Sequence, residues 1–300
     1  MDTKQIEYIL KIAEENNITK AAEKLYITQS ALNQQLLRLE KELGTPLFHR
    51  SRTNWRPTEA GTLYIENARK ILRIKKDTYN QINDLTSAKR GRLSIGFTPG
   101  RGIAMFAGVY PRFHQAYPDV IVEPVEKNVR ILQQMIAEDE LDIGFLTLRE
   151  EDKTNDCYLT LNTEEIILVI SSGHPLGELT APAGAPLTAL DICRLKYEPF
   201  VLMSKNSTMR SMVDEIFEEA GFSPYILFET ANNVTILTMI QSNICCGLIP
   251  SYYINGNYEG ISCFSLPSHP SWQISASYKK GRYLSDAAKY FIELAKEYWQ

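Results

Sequence analysis

This chain has little of what most protein chemistry requires. Its five cysteines, Cys157, Cys193, Cys245, Cys246 and Cys263, form no CxxC pair and no Cys/His spacing of a metal site. The four histidines are scattered, with nothing like HExxH. Thr98-Pro99-Gly100-Arg101-Gly102 is too short for a phosphate loop and lacks its pattern. The carboxylates Glu150, Glu151 and Asp152 read as a solvated loop. No catalytic residue, metal or cofactor is therefore expected. An enzyme reading has no nucleophile with a base, no metal set and no cofactor motif to stand on. There is also no run of about eighteen apolar residues, so no membrane span is expected. The polar, immediately helical N-terminus is no signal peptide, which makes the cytoplasm the expected compartment.

A net positive charge is missing too. The value of −4 argues against a simple nucleic-acid binder until it is divided along the chain. Residues 1–90 carry sixteen Lys/Arg against eleven Asp/Glu, a net +5, while the other 210 carry sixteen against twenty-five, a net −9. Electrostatic attraction for DNA thus belongs to the N-terminal part alone. With 300 residues, 44% of them apolar, the chain is long enough for two or three packed domains.

The segment Ile18–Gly61 carries the strongest pattern. Thr19 can cap a short helix over KAAEKL, and Ala21-Ala22 leaves room for a second helix to cross closely. Thr28 caps that second helix, Gln29 to about Leu43, and Gly44 suits its stop. Leu32, Leu36, Leu39 and Leu43 recur at three- and four-residue steps as one buried stripe. Ser30, Gln34, Arg38 and Lys41 fall opposite, with Asn33 at the border and Gln29 at the tip. An apolar back and polar front is what a DNA major groove accepts. PLFHR and WRPT then read as a short hairpin, a wing, placing Arg50, Arg52 and Arg56 where a duplex backbone would pass. The whole is a winged helix-turn-helix, with Thr28, Gln29, Ser30, Asn33, Gln34, Arg38, Arg50 and Arg52 as its expected DNA contacts.

From Thr58 to about Ser87, Ile65, Ala68, Leu72, Tyr79 and Ile82 recur at the period of a two-helix seam. A helix of that length spans roughly 45 Å, more than a domain of this size can cover, so dimerisation is expected. A dimer also suits two readers on half-sites one or more helical turns apart. After a hinge at Lys89-Arg90-Gly91-Arg92 the pattern changes. LSIGF, IVEPVE and LDIGFL read as strands alternating with helices, which implies a parallel α/β sheet. A second block follows with EIILVIS, PFVLMS, YILFET and CCGLIP, and the chain returns through ISCFSL and WQISASY to a last helix, SDAAKYFIELAKEYW.

The run AAEKLYITQSALNQQLLRLEKELG, then PLFHR, then PTEAG, in this order and spacing, resembles the LysR-type transcriptional regulators, and the likeness in layout covers the whole chain. His174-Pro175-Leu176 after a strand is also frequent in that family. The resemblance implies an α+β multidomain protein. A winged helix-turn-helix (1–58) and a linker and dimerisation helix with hinge (59–90) precede an effector-binding domain (91–300). That domain consists of two Rossmann-like α/β lobes of the periplasmic-binding-protein type II fold. Lobe I takes about 91–162 and 268–300, lobe II about 163–267. Implied partners are double-stranded promoter or operator DNA, a small-molecule effector and further copies as a homodimer or homotetramer. Contact with RNA polymerase is also compatible with it. This chain departs from the family by Asn33 where Ser is common, Gln34 where a basic residue is common and Leu37 where Arg is frequent. Asn and Gln pair with adenine and Leu meets a thymine methyl, so A·T-rich half-sites are expected.

In open α/β sheets ligands collect beyond the strand carboxyl ends, against helix N-termini whose amides favour anions. Four loops fit: Thr98–Gly102, Lys127-Asn128, Ser204–Thr208 and Thr230–Asn233. The expected effector residues are Thr98, Pro99, Gly100, Arg101, Asn128, Ser204, Thr208 and Asn232, with a lean toward small carboxylates. Arg101, Lys127 and Lys205 add positive charge. Peroxide-sensing relatives use a reactive cysteine pair in the second lobe, and Cys193 lies in a loop. No close second cysteine supports redox sensing, and Cys245-Cys246 in NICCGLIP reads as buried packing.

Overall fold

The computed structural model describes residues 2–51, 54–182, 184–254 and 259–300. Backbone contacts divide the chain into two compact units, residues 1–91 with 138–140 and 282–285, and the remainder.

In the first unit, α1 (Thr3–Glu15), α2 (Ile18–Lys24) and α3 (Gln29–Leu43) pack around Ile9, Ile12, Ala21, Ala22, Leu32, Leu36 and Leu39. Asn17, not Thr19, caps α2: its Oδ1 accepts from the amides of Thr19 at 2.9 Å and Lys20 at 3.1 Å. The reason is position, since Thr19 is already helical while Asn17 is extended. Thr28 caps α3 through the amide of Ala31, and Gly44 ends it in the left-handed region at φ 72°. Leu43, expected in the buried stripe, is exposed because the last turn of α3 runs past the core. Strands β1 (Phe48–His49) and β2 (Arg56–Pro57) pair antiparallel with Phe48 opposite Pro57. Thr58 then pins the start of α4 (Glu59–Leu85) to the base of the wing. Its amide donates to Leu47 O, its hydroxyl donates to Pro46 O at 2.8 Å, and it accepts from Gly61 N. At Gly61 an added Cβ would sit 1.9 Å from Leu47 O, so only glycine lets the helix approach this closely.

Along α4 the expected seam splits. Ile65 and Ala68 are buried within this unit, Ile65 in the helix-turn-helix core, whereas Tyr79 and Ile82 are exposed. The apolar face left open is Leu63, Ile74, Ile82 and Leu85, within an arc of about 100° at the helical period.

The second unit holds β3 (Arg90–Phe97), α5 (Arg101–Ala116), β4 (Asp119–Glu126), α6 (Val129–Ala137), β5 (Ile143–Leu148) and β6 (Cys157–Ser171). These are followed by β7 (Pro199–Met203), α7 (Thr208–Glu219), β8 (Tyr225–Thr230), α8 (Asn233–Gln241), β9 (Gly247–Pro250), β10 (Ile261–Phe264), β11 (Ser271–Tyr278) and α9 (Asp286–Trp299). The sheet is mixed rather than parallel. β3 and β5 run parallel with Ile95 opposite Ile143, but β11 lies antiparallel between β5 and β6. The return segment contributes two antiparallel strands, β10 and β11, and β9 adds a third against the second half of β6.

β6 stitches the two lobes together. Its first half, 157–165, pairs with β11, and its second half pairs with β9 and β10. Only the second half, an unbroken buried apolar run, stands out in the sequence; Cys157–Leu161 is half-exposed and carries a weaker signal. The lobe containing α5 and α9 is packed with rings, Phe106 at 5.1 Å from Phe97 and Phe113 edge-on to Phe291 at 5.1 Å. The other lobe centres on β6, β7 and β9 with Ile167, Val201, Phe200, Phe217, Ile236 and Leu248.

Candidate nucleic-acid interface and ligand cleft

The first unit presents a polar face along α3. Thr28, Gln29, Ser30, Gln34 and Arg38 are exposed, and Asn33 is half-buried at the border with Leu32 and Leu36. Leu37 is exposed beside them. Arg50 is already engaged: it pairs with the buried Glu40 of α3 and its guanidinium lies 5.8 Å from the Trp55 ring. Glu40 also accepts from Leu47 N at 2.8 Å, so this carboxylate ties the wing to α3. Arg52 lies outside the described residues. Arg56 is exposed on β2 and makes no ion pair among the described residues.

In the second unit, Thr98, Pro99, Gly100, Arg101, Asn128, Ser204, Thr208 and Asn232 all line one cavity of about 590 Å³. Lys127 and Lys205 do not line it. The first residues of α5, α6, α7 and α8 stand in its wall, so four helix N-termini face the same space. Three of them are capped from within: Asn128 Oδ1 accepts from Ile131 N, Ser207 Oγ from Arg210 N and Asn232 Oδ1 from Val234 N. The N-terminus of α5 has no side-chain cap. Gly100 precedes it at φ 77°, ψ −102°, and a Cβ there would meet the Tyr253 hydroxyl at 3.0 Å. The positive φ favours glycine there, and a Cβ would in addition press on the Tyr253 hydroxyl. Thr208 Oγ1 donates to Thr147 O at 3.3 Å, whereas the hydroxyls of Thr98 and Ser204 make no hydrogen bond among the described residues.

Arg101 is buried, and its charge is matched by the chain itself. It pairs with Glu164 of β6 and lies 4.8 Å from the Trp272 ring. Glu164 further accepts from Trp272 Nε1 at 2.7 Å and Tyr252 N at 2.8 Å. This cluster joins α5, the crossing strand β6, β11 and the loop after β9. Burial is the main cause that pushes the Tyr252 phenol up to about 12, with its hydrogen bond to Tyr298 adding to the rise. Sequence reasoning missed the apolar wall of the cavity: Met203, Met209, Tyr253 and Trp272. No periodic signal marks them, since they come from four different elements.

All five cysteines are free thiols, and three of them, Cys245, Cys246 and Cys263, are buried. Burial pushes the thiols of Cys245, Cys246 and Cys263 up to about 11, about 12 and about 12. Cys193 is exposed, and its hydrogen bond with Asp191 raises its pKa as well. A raised pKa disfavours the thiolate that redox sensing needs.

A helix-turn-helix reader with a wing, followed by a two-lobed α/β domain around a cleft, defines a ligand-responsive transcription regulator. Residues 3–62 match the model of the bacterial regulatory helix-turn-helix protein, lysR family, and residues 86–300 match the LysR substrate binding domain. The HTH-type transcriptional regulator YcgK of Bacillus subtilis is 31% identical, over 99% of this chain and 94% of its own length. The Hca operon transcriptional activator HcaR of Escherichia coli is 25% identical over 99% and 98%. Among solved structures, full-length OxyR from Pseudomonas aeruginosa superposes with a TM-score of 0.70 at 21% identity, covering 100% of this chain and 97% of its own. CbnR complexed with its target DNA gives 0.61 at 18%, covering 99% of each chain. The chain belongs to the LysR family of DNA-binding transcriptional regulators, with a C-terminal effector-binding domain, and is not an enzyme. Among the described residues no helix is long and apolar enough to cross a membrane.

Proposed function

We propose that this regulator binds operator DNA through the exposed face of α3 and through the wing, and that it takes a small carboxylate in the cleft between its lobes. The observation that carries the ligand class is the convergence of four helix N-termini on one cavity, with α5 the one left uncapped. The carboxylate is placed at the α5 amides, with Thr98 Oγ and Ser204 Oγ as donors and Thr208 beside them. Met203, Met209, Tyr253 and Trp272 offer an apolar wall to the rest of the molecule. Thr28, Gln29, Ser30, Asn33, Gln34 and Arg38 are the proposed DNA contacts, with Arg50, Arg52 and Arg56 along the wing. The open face of α4 supports a homodimer. The ligand acts by binding one arrangement of the lobes better than the other, which shifts subunit placement and DNA contacts.

The test is a thermal-shift screen of the full chain against small mono- and dicarboxylates. A ligand at about a hundred times its dissociation constant stabilises its domain by roughly 2.7 kcal/mol. Thr98→Val abolishes most of that shift and leaves DNA binding without ligand unchanged. A saturable shift that survives Thr98→Val places the ligand elsewhere, and saturable shifts from cations or neutral amines alone overturn the carboxylate.

A further inference from the structure

We propose that Tyr26, in the turn between α2 and α3, contacts the sugar–phosphate backbone of DNA beside the groove that α3 enters. The inference starts from a residue that breaks a local rule. Helix α2 ends in a paired hydrogen-bond motif: Ile27 N donates to Ala22 O and Tyr26 N to Glu23 O, both at 3.1 Å, with Leu25 as the right-handed cap. The residue after such a cap sits in the left-handed region and is usually glycine, because a Cβ there crowds its own backbone. Tyr26 holds that position at φ 55°.

Among the described residues, the other non-glycine ones with positive φ are Asn16, Ser87, Asp139, Asn243 and His269. Asn, Asp and His are the types that tolerate this region, Ser is small, and His269 is compensated by a hydrogen bond to Glu165. Tyr26 has no such compensation. It is 96% exposed and makes no side-chain hydrogen bond or ring contact among the described residues. Among the described residues no side-chain contact offsets the strain, and strain of this kind clusters where a residue serves a partner.

The place in the fold identifies the partner; this step rests on α3 being the DNA reader. In a helix-turn-helix the second helix enters the groove N-terminus first while the first crosses the backbone. A side chain projecting from the turn between them meets the phosphates and sugars at the groove edge. Thr28, Gln29, Ser30 and Ala31 are exposed next to it. A phenol suits that position, since its hydroxyl donates to a phosphate oxygen and its ring covers a deoxyribose. Such a contact fixes register and carries no base preference.

The test uses the full chain as wild type, Tyr26→Gly, Tyr26→Phe and Gln34→Ala. The probes are labelled duplexes selected by the wild type from a random-sequence library, and a mixed-sequence duplex. Tyr26→Gly relieves the strain, so its urea midpoint rises, yet it binds both duplexes about tenfold more weakly and by the same factor. Tyr26→Phe loses less. A lower urea midpoint for Tyr26→Gly would remove the strain argument and overturn the proposal. So would wild-type affinity of Tyr26→Gly for both duplexes, with Gln34→Ala still impaired on the selected one; the DNA reading would then stand. Weakening on the selected duplex alone makes Tyr26 a base reader and overturns the backbone contact. A wild type that enriches no duplex overturns the reader and this contact together.

Discussion

Gly61 and Glu164 show how single residues hold the two units to their shapes. At Gly61 a methyl group has no space, because it would lie 1.9 Å from the Leu47 carbonyl oxygen that also accepts from Thr58 N. Gly61→Ala must push α4 off the wing, and over-packing of this kind costs about 1–3 kcal/mol. The expected outcome is a lower urea midpoint together with weaker DNA binding, while ligand-induced stabilisation of the second unit persists. Glu164 lies at the opposite chemical extreme, a buried carboxylate with an arginine, an indole N–H and an amide around it. Glu164→Gln leaves Arg101 charged and buried without its counter-ion, which costs about 3–5 kcal/mol. Replacing both, Glu164→Gln with Arg101→Met, restores much of the loss in a double-mutant cycle read by urea unfolding. If the double variant is as unstable as the single one, the pair is not what the site depends on.

At the scale of elements, α3 and α4 illustrate what a sequence carries and what it does not. The period and caps of α3 are local, so Thr28, Gly44 and the Leu32–Leu36–Leu39 stripe are all legible without a structure. Which of two nearby polar residues caps α2 is not, because Asn17 and Thr19 are chemically equivalent and only the path of the preceding turn separates them. On α4 the period is real but the face is ambiguous. Apolar residues lie on more than one side, and the face that packs locally is fixed by Thr58 and Gly61 anchoring the helix start. The cleft was half legible: its loops follow from strand ends and helix caps, which are local. Its apolar wall joins residues as distant as Val129 and Trp272, which no spacing connects. The open face of α4 leads to a prediction at this scale. Leu85 is 86% exposed and Ile74 and Ile82 are exposed beside it, an unfavourable arrangement for a lone chain. If α4 forms the proposed dimer, Ile82→Glu with Leu85→Glu lowers the mass in sedimentation velocity to that of a monomer, with unchanged helix content; an unchanged oligomer places the interface on another face.

The whole molecule separates its charge, +5 in residues 1–90 and −9 in the other 210. A net −4 protein that binds DNA must therefore do so by local rather than global attraction, and at ordinary ionic strength screening beyond about 8–10 Å makes that sufficient. Residues 91–300, at a net −9, supply no net attraction of their own for a polyanion. This division is measurable in the salt dependence of binding, where each neutralised phosphate adds about 0.9 to the slope of log affinity against log salt. Arg56 is exposed on the wing with no ion pair among the described residues, which leaves its charge for a phosphate. In a dimer, Arg56→Gln lowers the magnitude of the slope by about two, one phosphate per subunit, and weakens selected and mixed-sequence duplexes alike. Arg112 in the second unit is equally exposed but pairs with Glu297 at 2.8 Å. Arg112→Gln leaves the slope unchanged. Equal effects of the two substitutions in anisotropy titrations across a salt series would show that the attraction for DNA is spread over the whole chain, and the division of charge would lose its functional meaning.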